Sequence, residues 1–149
     1  MSLKEQLMDD LKSAMKEKNT IKKNVVTMIR AAILQYEKDN KCELDDEGIR
    51  ELVAKQLKQR KDALVEFERG KRQDLVEQTE SEINIILSYL PAQLTENELK
   101  DIVKEAITRL NITDLKQMGK IMGDVMPKVK GRADGKAINE AAKEILSGN

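Results

Sequence analysis

Segment after segment of this chain sets its apolar side chains three and four residues apart, a spacing that lines one face of an α-helix and no face of a strand. The cleanest run is Leu99, Ile102, Val103, Ala106, Ile107 and Leu110. Others are Val25, Met28, Ile29, Ala32, Ile33 and Tyr36, then Ile49, Leu52, Val53, Leu57, Leu64 and Phe67. With one Phe, two Tyr and no Trp, the chain lacks the aromatic side chains that strands favour, so an all-α fold is expected. Leu, Ile, Val and Met must then make the core.

Local signals punctuate these stripes. Ser2 with Glu5 and Thr95 with Glu98 have capping-box spacing, which opens a first helix ending near Lys18 and a fifth helix after Thr95. A second helix runs from Ile21 to about Asn40. Asp45 or Asp46 caps a third, closed by Gly70. Arg60 falls in a gap of the third stripe; such a cation either snorkels to water, the commoner outcome, or pairs with a carboxylate of a neighbouring helix, here Glu80 or Glu82. A fourth helix carries Leu75, Val76, Ile83, Ile86, Leu87 and Leu90 and is ended by Pro91. The sixth shows Leu115, Met118, Met122, Val125 and Val129, and the seventh Ile138, Ala141, Ala142, Ile145 and Leu146.

This organisation reads as an N-terminal four-helix domain over 1–90, a linker with hinge freedom over 91–94, and a C-terminal three-helix bundle over 95–149. A bundle of roughly 55 residues is marginal alone and is expected to lean on the N-terminal helices or a partner.

Lys plus Arg and Asp plus Glu number 27 each, so no global field drives adsorption to nucleic acid or an anionic membrane; any such contact needs a local patch. No apolar run approaches the roughly 20 residues of a membrane span, and nothing resembling a signal peptide is seen. A lone cysteine, Cys42, sits in a polar segment and suits a reducing compartment. Together these lead to the expectation of a cytoplasmic protein that nothing targets or anchors.

The segment Met118 to Gly135, MGKIMGDVMPKVKGRADG, is the densest in features. Gly119 and Gly123 lie one turn apart on one face, and each costs about 1 kcal/mol against Ala, so a compensating gain is expected. Close packing against another helix is the ordinary one; admission of an RNA sugar-phosphate or a partner helix is the alternative. Gly131 can end the sixth helix at positive φ, and Asp134 can cap the seventh, which explains the turn by itself. Lys128, Lys130, Arg132 and Lys136 crowd that turn and can grip phosphates. Asp134 opposes this by occupying the amides a phosphate would want. The basic run Lys55 to Arg72 is interleaved with Asp62, Glu66 and Glu68 and reads as a solvated, ion-paired face.

No His is present, no Ser stands in a glycine-framed elbow, and no calcium loop or phosphate-binding glycine loop appears. Neither an enzyme nor a metal or other cofactor is expected from these parts.

Across nearly the full length, VVTMIRAAILQYEKDN, EFERGKR and YLPAQL resemble the YqeY family. GKIMG at Gly119 to Gly123 followed by KGRADG at Lys130 to Gly135 resembles the tail domain of the B subunit of glutamine-dependent aminoacyl-tRNA amidotransferases. That resemblance implies a four-helix part followed by a three-helix part, with a tail that helps engage tRNA while the amide-transfer chemistry lies in domains this chain lacks. Carried over by position, the tRNA-facing candidates are Lys120, Lys130, Arg132 and Lys136, with Lys128 from the basic turn beside them. Gly119, Gly123, Gly131 and Gly135 would shape the surface.

The expected function is therefore that of a non-catalytic accessory protein binding tRNA or an aminoacyl-tRNA-handling enzyme, at most a partner of a glutamine-dependent carbon-nitrogen ligase. The alternative is a protein–protein adaptor without RNA binding, favoured by neutral net charge and scarce aromatics for base stacking.

Overall fold

The computed structural model describes residues 1–148; the last residue of the expected C-terminal bundle, Asn149, lies outside them. Among the described residues the fold is all-α, with helices α1 (Leu3–Lys16), α2 (Thr20–Asn40), α3 (Asp46–Arg69), α4 (Gln73–Leu87), α5 (Glu96–Arg109), α6 (Met118–Val129) and α7 (Gly135–Leu146). A single 3-10 turn, Leu115–Gln117, precedes α6. The chain divides into two compact units, Met1–Leu90 and Pro91–Asn149.

Both capping boxes form, Ser2 with Glu5 and Thr95 with Glu98, so each of these helices starts with two of its orphan amides satisfied. Asp45 caps α3 by accepting from the Gly48 amide at 2.8 Å. α3 closes at Gly70, as expected; Gly70 keeps a right-handed φ of −80°, and Lys71 makes the left-handed turn at φ 56°. Two other stops come earlier than expected. α1 ends at Lys16, and Lys18 takes the left-handed φ of 58°. α4 stops at Leu87, ahead of Pro91, because Ser88 Oγ donates to the Ile85 carbonyl and the Tyr89 and Leu90 amides turn back three residues. That tightening seats Tyr89 in the core, where its hydroxyl donates to Asp10. Burial first, and then the Asp10 carboxylate, pushes the Tyr89 phenol well above the usual tyrosine range.

In the first unit Leu7, Val25, Val26, Ile29, Ile33, Ile49, Val53 and Ile86 form the core. The α2 stripe is rotated from expectation: Val26 is fully buried, whereas Met28 and Tyr36 are 48% and 41% exposed. Arg60 does not snorkel to solvent. Its Nε donates to Glu82 at 2.9 Å, with the two side chains only 14% and 19% exposed.

The second core is built from Leu99, Val103, Ala106, Ile121, Val125, Val129, Ile138 and Ala142. Ile121 and Val125 set the buried direction of α6, so Leu115 is turned outward at 47% exposure. The stretch 91–94 is not a free linker but part of this unit. Leu94 N donates to the Arg132 carbonyl at 3.0 Å, Gln93 Nε2 to the Gly131 carbonyl at 2.8 Å, and Arg132 Nε to the Ala92 carbonyl at 3.0 Å.

Candidate nucleic-acid interface on the second unit

Helix α6 presents two unlike sides. Ile121 and Val125 bury one of them; at about 100° per residue, Gly119 and Gly123 lie roughly half a turn round, on the solvent side. A Cβ added at either glycine would meet nothing within 4 Å. Close packing against another helix, the gain expected from their spacing, is therefore absent, and the backbone of α6 is bare to solvent there. Lys120, between the glycines in sequence, is exposed, and so is Lys116 in the preceding turn. Neither side chain has an ion pair among the described residues. Lys116 escaped the sequence reading because its relation to Gly119 depends on the 3-10 turn leading into α6.

The flank of α6 facing α5 is the opposite case. Asp124 binds Arg109 Nη2, and Lys128 Nζ reaches the same carboxylate at 3.3 Å and Glu105 at 3.8 Å. Arg109 Nε also holds Glu105 at 2.8 Å. The Arg109 guanidinium, with Lys128 adding to it, holds the Asp124 and Glu105 carboxyls below their usual range, and those two acids raise Arg109 in turn. Lys128, expected at a phosphate-gripping turn, is thus engaged by internal carboxylates.

The corner after α6 is built as a turn. Lys130 is its exposed C-cap, Gly131 supplies the left-handed φ of 77°, and Asp134 caps α7 by accepting from the Ala137 amide at 2.8 Å. That carboxylate takes the Ala137 amide of the first turn of α7 and sets its negative charge against any anion approaching there. Arg132 is half-buried, with Nε on the Ala92 carbonyl. Its charge also adds weakly to the Thr95 amide and hydroxyl, which hold the Glu98 carboxyl below the usual range. Gly135 makes a close approach, since a Cβ there would sit 3.1 Å from Met122 Cε and 3.9 Å from Met126 Sδ. That contact sets the start of α7 against Met122 and Met126 of α6, and Lys136, the next residue, is exposed.

The five cation candidates therefore do not form one cluster. Lys120 stands exposed on α6 between the two glycines in sequence, Lys136 stands exposed in the first turn of α7, Lys130 and Arg132 belong to the strapped corner, and Lys128 belongs to the α5–α6 charge lattice. Among the described residues no group of three or more His, Cys, Asp or Glu side chains is placed to hold a metal, and no helix is long and apolar enough to cross a membrane.

Comparison with known proteins sets this geometry in a lineage. A Pyrenophora tritici-repentis protein named Altered inheritance of mitochondria protein 41, mitochondrial, is 32% identical over 144 residues, covering 94% of this chain and 78% of that one. Proteins of the same name from Saccharomyces cerevisiae and Kluyveromyces lactis are 32% identical over 126 residues and 38% identical over 87 residues. The first covers 80% of this chain and 68% of the relative; the second covers 58% and 47%. Their mitochondrial designation overturns the expectation of a cytoplasmic protein. A lone exposed thiol separates reducing from oxidising surroundings and cannot tell one reducing compartment from another. The family pattern described as Yqey-like protein matches residues 4–146, spanning both units, and the chain belongs to that family.

Proposed function

We propose that this protein is a non-catalytic accessory factor that binds tRNA, or an enzyme handling aminoacyl-tRNA, through the second unit. The observation that carries the reading is the open backbone at Gly119 and Gly123. Each glycine costs α6 about 1 kcal/mol, and no helix packs on it in return, so the gain is sought outside the chain. A sugar-phosphate backbone fits such a place. Bare helix backbone permits close approach, and Lys120, Lys136 and Lys116 supply charge around it without the rigid forks that base reading needs. With few aromatics, contacts are to phosphate and shape rather than to stacked bases.

The contact surface differs from the one expected from sequence. Lys120 and Lys136 contribute most, Lys130 and Arg132 edge the surface, and Lys128 is left out by its carboxylates. Catalysis is assigned to other proteins, and the isolated chain is expected to give no glutamine-dependent amide formation on misacylated tRNA.

Titration of labelled tRNA at several salt concentrations tests the assignment. Log affinity is expected to fall by roughly 0.7 to 0.9 per phosphate contact for each log unit of salt, and a Lys120→Ala, Lys136→Ala double change should lower that slope by one to two contacts. Absence of binding at low salt, or a slope indifferent to both changes, contradicts the reading.

A further inference from the structure

The first unit carries an apolar trough that its own fold leaves open. Helices α1 and α2 enclose a groove of about 220 Å³ lined by Leu7, Met8, Ile33 and Leu34, with Arg30 and the Lys4–Glu37 pair at its edges. Leu34 is 64% exposed, and Met15, two turns beyond Met8 on α1, is 57% exposed. Apolar side chains of this size gathered on adjoining helices differ from the singly scattered ones that any surface shows.

The charges at the rim are unequal. Glu37 takes both Lys4 Nζ and the Leu44 amide, and these two donors hold its carboxyl below the usual range. Its charge is cancelled and its position fixed. Half-buried Arg30, which lines the groove, has no ion pair among the described residues, and this leaves an apolar floor with an uncompensated positive charge at its rim. Asp9 is carried away from the groove, about 100° round α1 from Met8.

We infer that this groove docks an amphipathic helix of a partner protein, one that places apolar residues at seven-residue spacing and carboxylates beside them. Met8 and Met15 are themselves seven residues apart, the repeat that a helix lying along α1 would match. The groove holds one or two aliphatic side chains and is smaller than the clefts that enclose a cofactor. Its rim calls for acidic partners, and unbranched methionine walls adapt to whichever apolar side chain enters. An anionic lipid surface is the poorer fit, because interfacial helices present their apolar side chains as an outward face rather than as walls of a trough. The site lies wholly on α1 and α2 and is independent of the RNA reading.

The test uses the full chain and a labelled synthetic peptide of about three heptads, with Leu at a and d and Glu at e and g, so that like charges keep it from pairing with itself. Its twin carries Lys in place of Glu. The acidic peptide is expected to bind, the twin to bind at least about tenfold more weakly, and Leu34→Glu to lose about tenfold or more. Arg30→Glu should weaken binding while Arg30→Lys retains most of it. Leu34 is solvent-exposed, so its variant should keep its helical circular dichroism and its tRNA affinity. Failure of the acidic peptide to bind, equal binding of the twin, or affinity unchanged by Leu34→Glu overturns the inference. Leu34-dependent adsorption to phosphatidylglycerol vesicles without peptide binding overturns it in favour of a membrane surface.

Discussion

Lys120 and Lys128 sit on the same helix, one turn before and one turn after Asp124, yet their fates differ. The acid pairs with Lys128, and Lys120 is left in solvent. Helix geometry favours that choice, because an acid N-terminal to its base by four residues is better placed than the reverse. Arg109 and Glu105 on α5 then complete the lattice around Lys128. On the other side nothing from α5 or α7 covers Gly119 and Gly123. Equal charge in the sequence thus becomes structural charge on one flank and available charge on the other, and the deciding factor is which neighbouring helix brings a carboxylate.

Both sides rest on the same buried ridge, so the sharpest break comes from beneath. Ile121→Ala should cost about 2–5 kcal/mol in denaturant unfolding, since the residue is fully buried and the cavity cannot refill completely. In the first unit, Glu82→Gln leaves the largely buried Arg60 with a weaker, uncharged acceptor and should cost about 1.5–3 kcal/mol by the same assay. Asp124→Asn ought to leave stability nearly unchanged while loosening Lys128, whose remaining carboxylate, Glu105, is 3.8 Å away, with Arg109 still held by Glu105. If the two flanks differ only through that carboxylate, the variant binds tRNA more tightly and with a steeper salt slope; unchanged affinity means the lattice already lies away from the RNA.

A smaller effect comes from acid. The carboxyls of Glu37, Asp124 and Glu105 are lowered in the folded state, so the stability they supply is complete above the ordinary carboxylate range and is lost as pH falls through their depressed values. Thermal melts should therefore hold steady down to about pH 4.5 and decline below it. Glu37→Gln should flatten that decline in the first unit, a result read most cleanly from signals of α1 and α2.

Much of this was legible in the sequence wherever the cause was local. The two capping boxes, the Asp45 cap and the Gly131 stop each depend on residues within a turn of one another, and each formed as read. Rotation of a helix about its axis is not local. The three-and-four pattern passes over Val26 and Ile121 and assigns Met28, Tyr36 and Leu115 to the core, because it fits two adjacent faces until a neighbour selects one. The strap of 91–94 onto 131–132 joins residues about forty positions apart and left no trace in composition. At the candidate site, the Asp124–Lys128 spacing was a readable warning that Lys128 would be engaged. That Gly119 and Gly123 would remain uncovered needed the coordinates.

Those two glycines give the most direct measurement. Replacing both by Ala meets no steric obstacle and should raise thermal stability, by about 0.4–1 kcal/mol for each residue, while the added methyl groups hold a phosphate backbone away and weaken tRNA binding. Opposite movement of the melting temperature and the tRNA affinity in one double variant is the predicted result. A variant that gains stability and binds tRNA as the parent does contradicts the claim that this bare stretch of α6 is where the RNA sits.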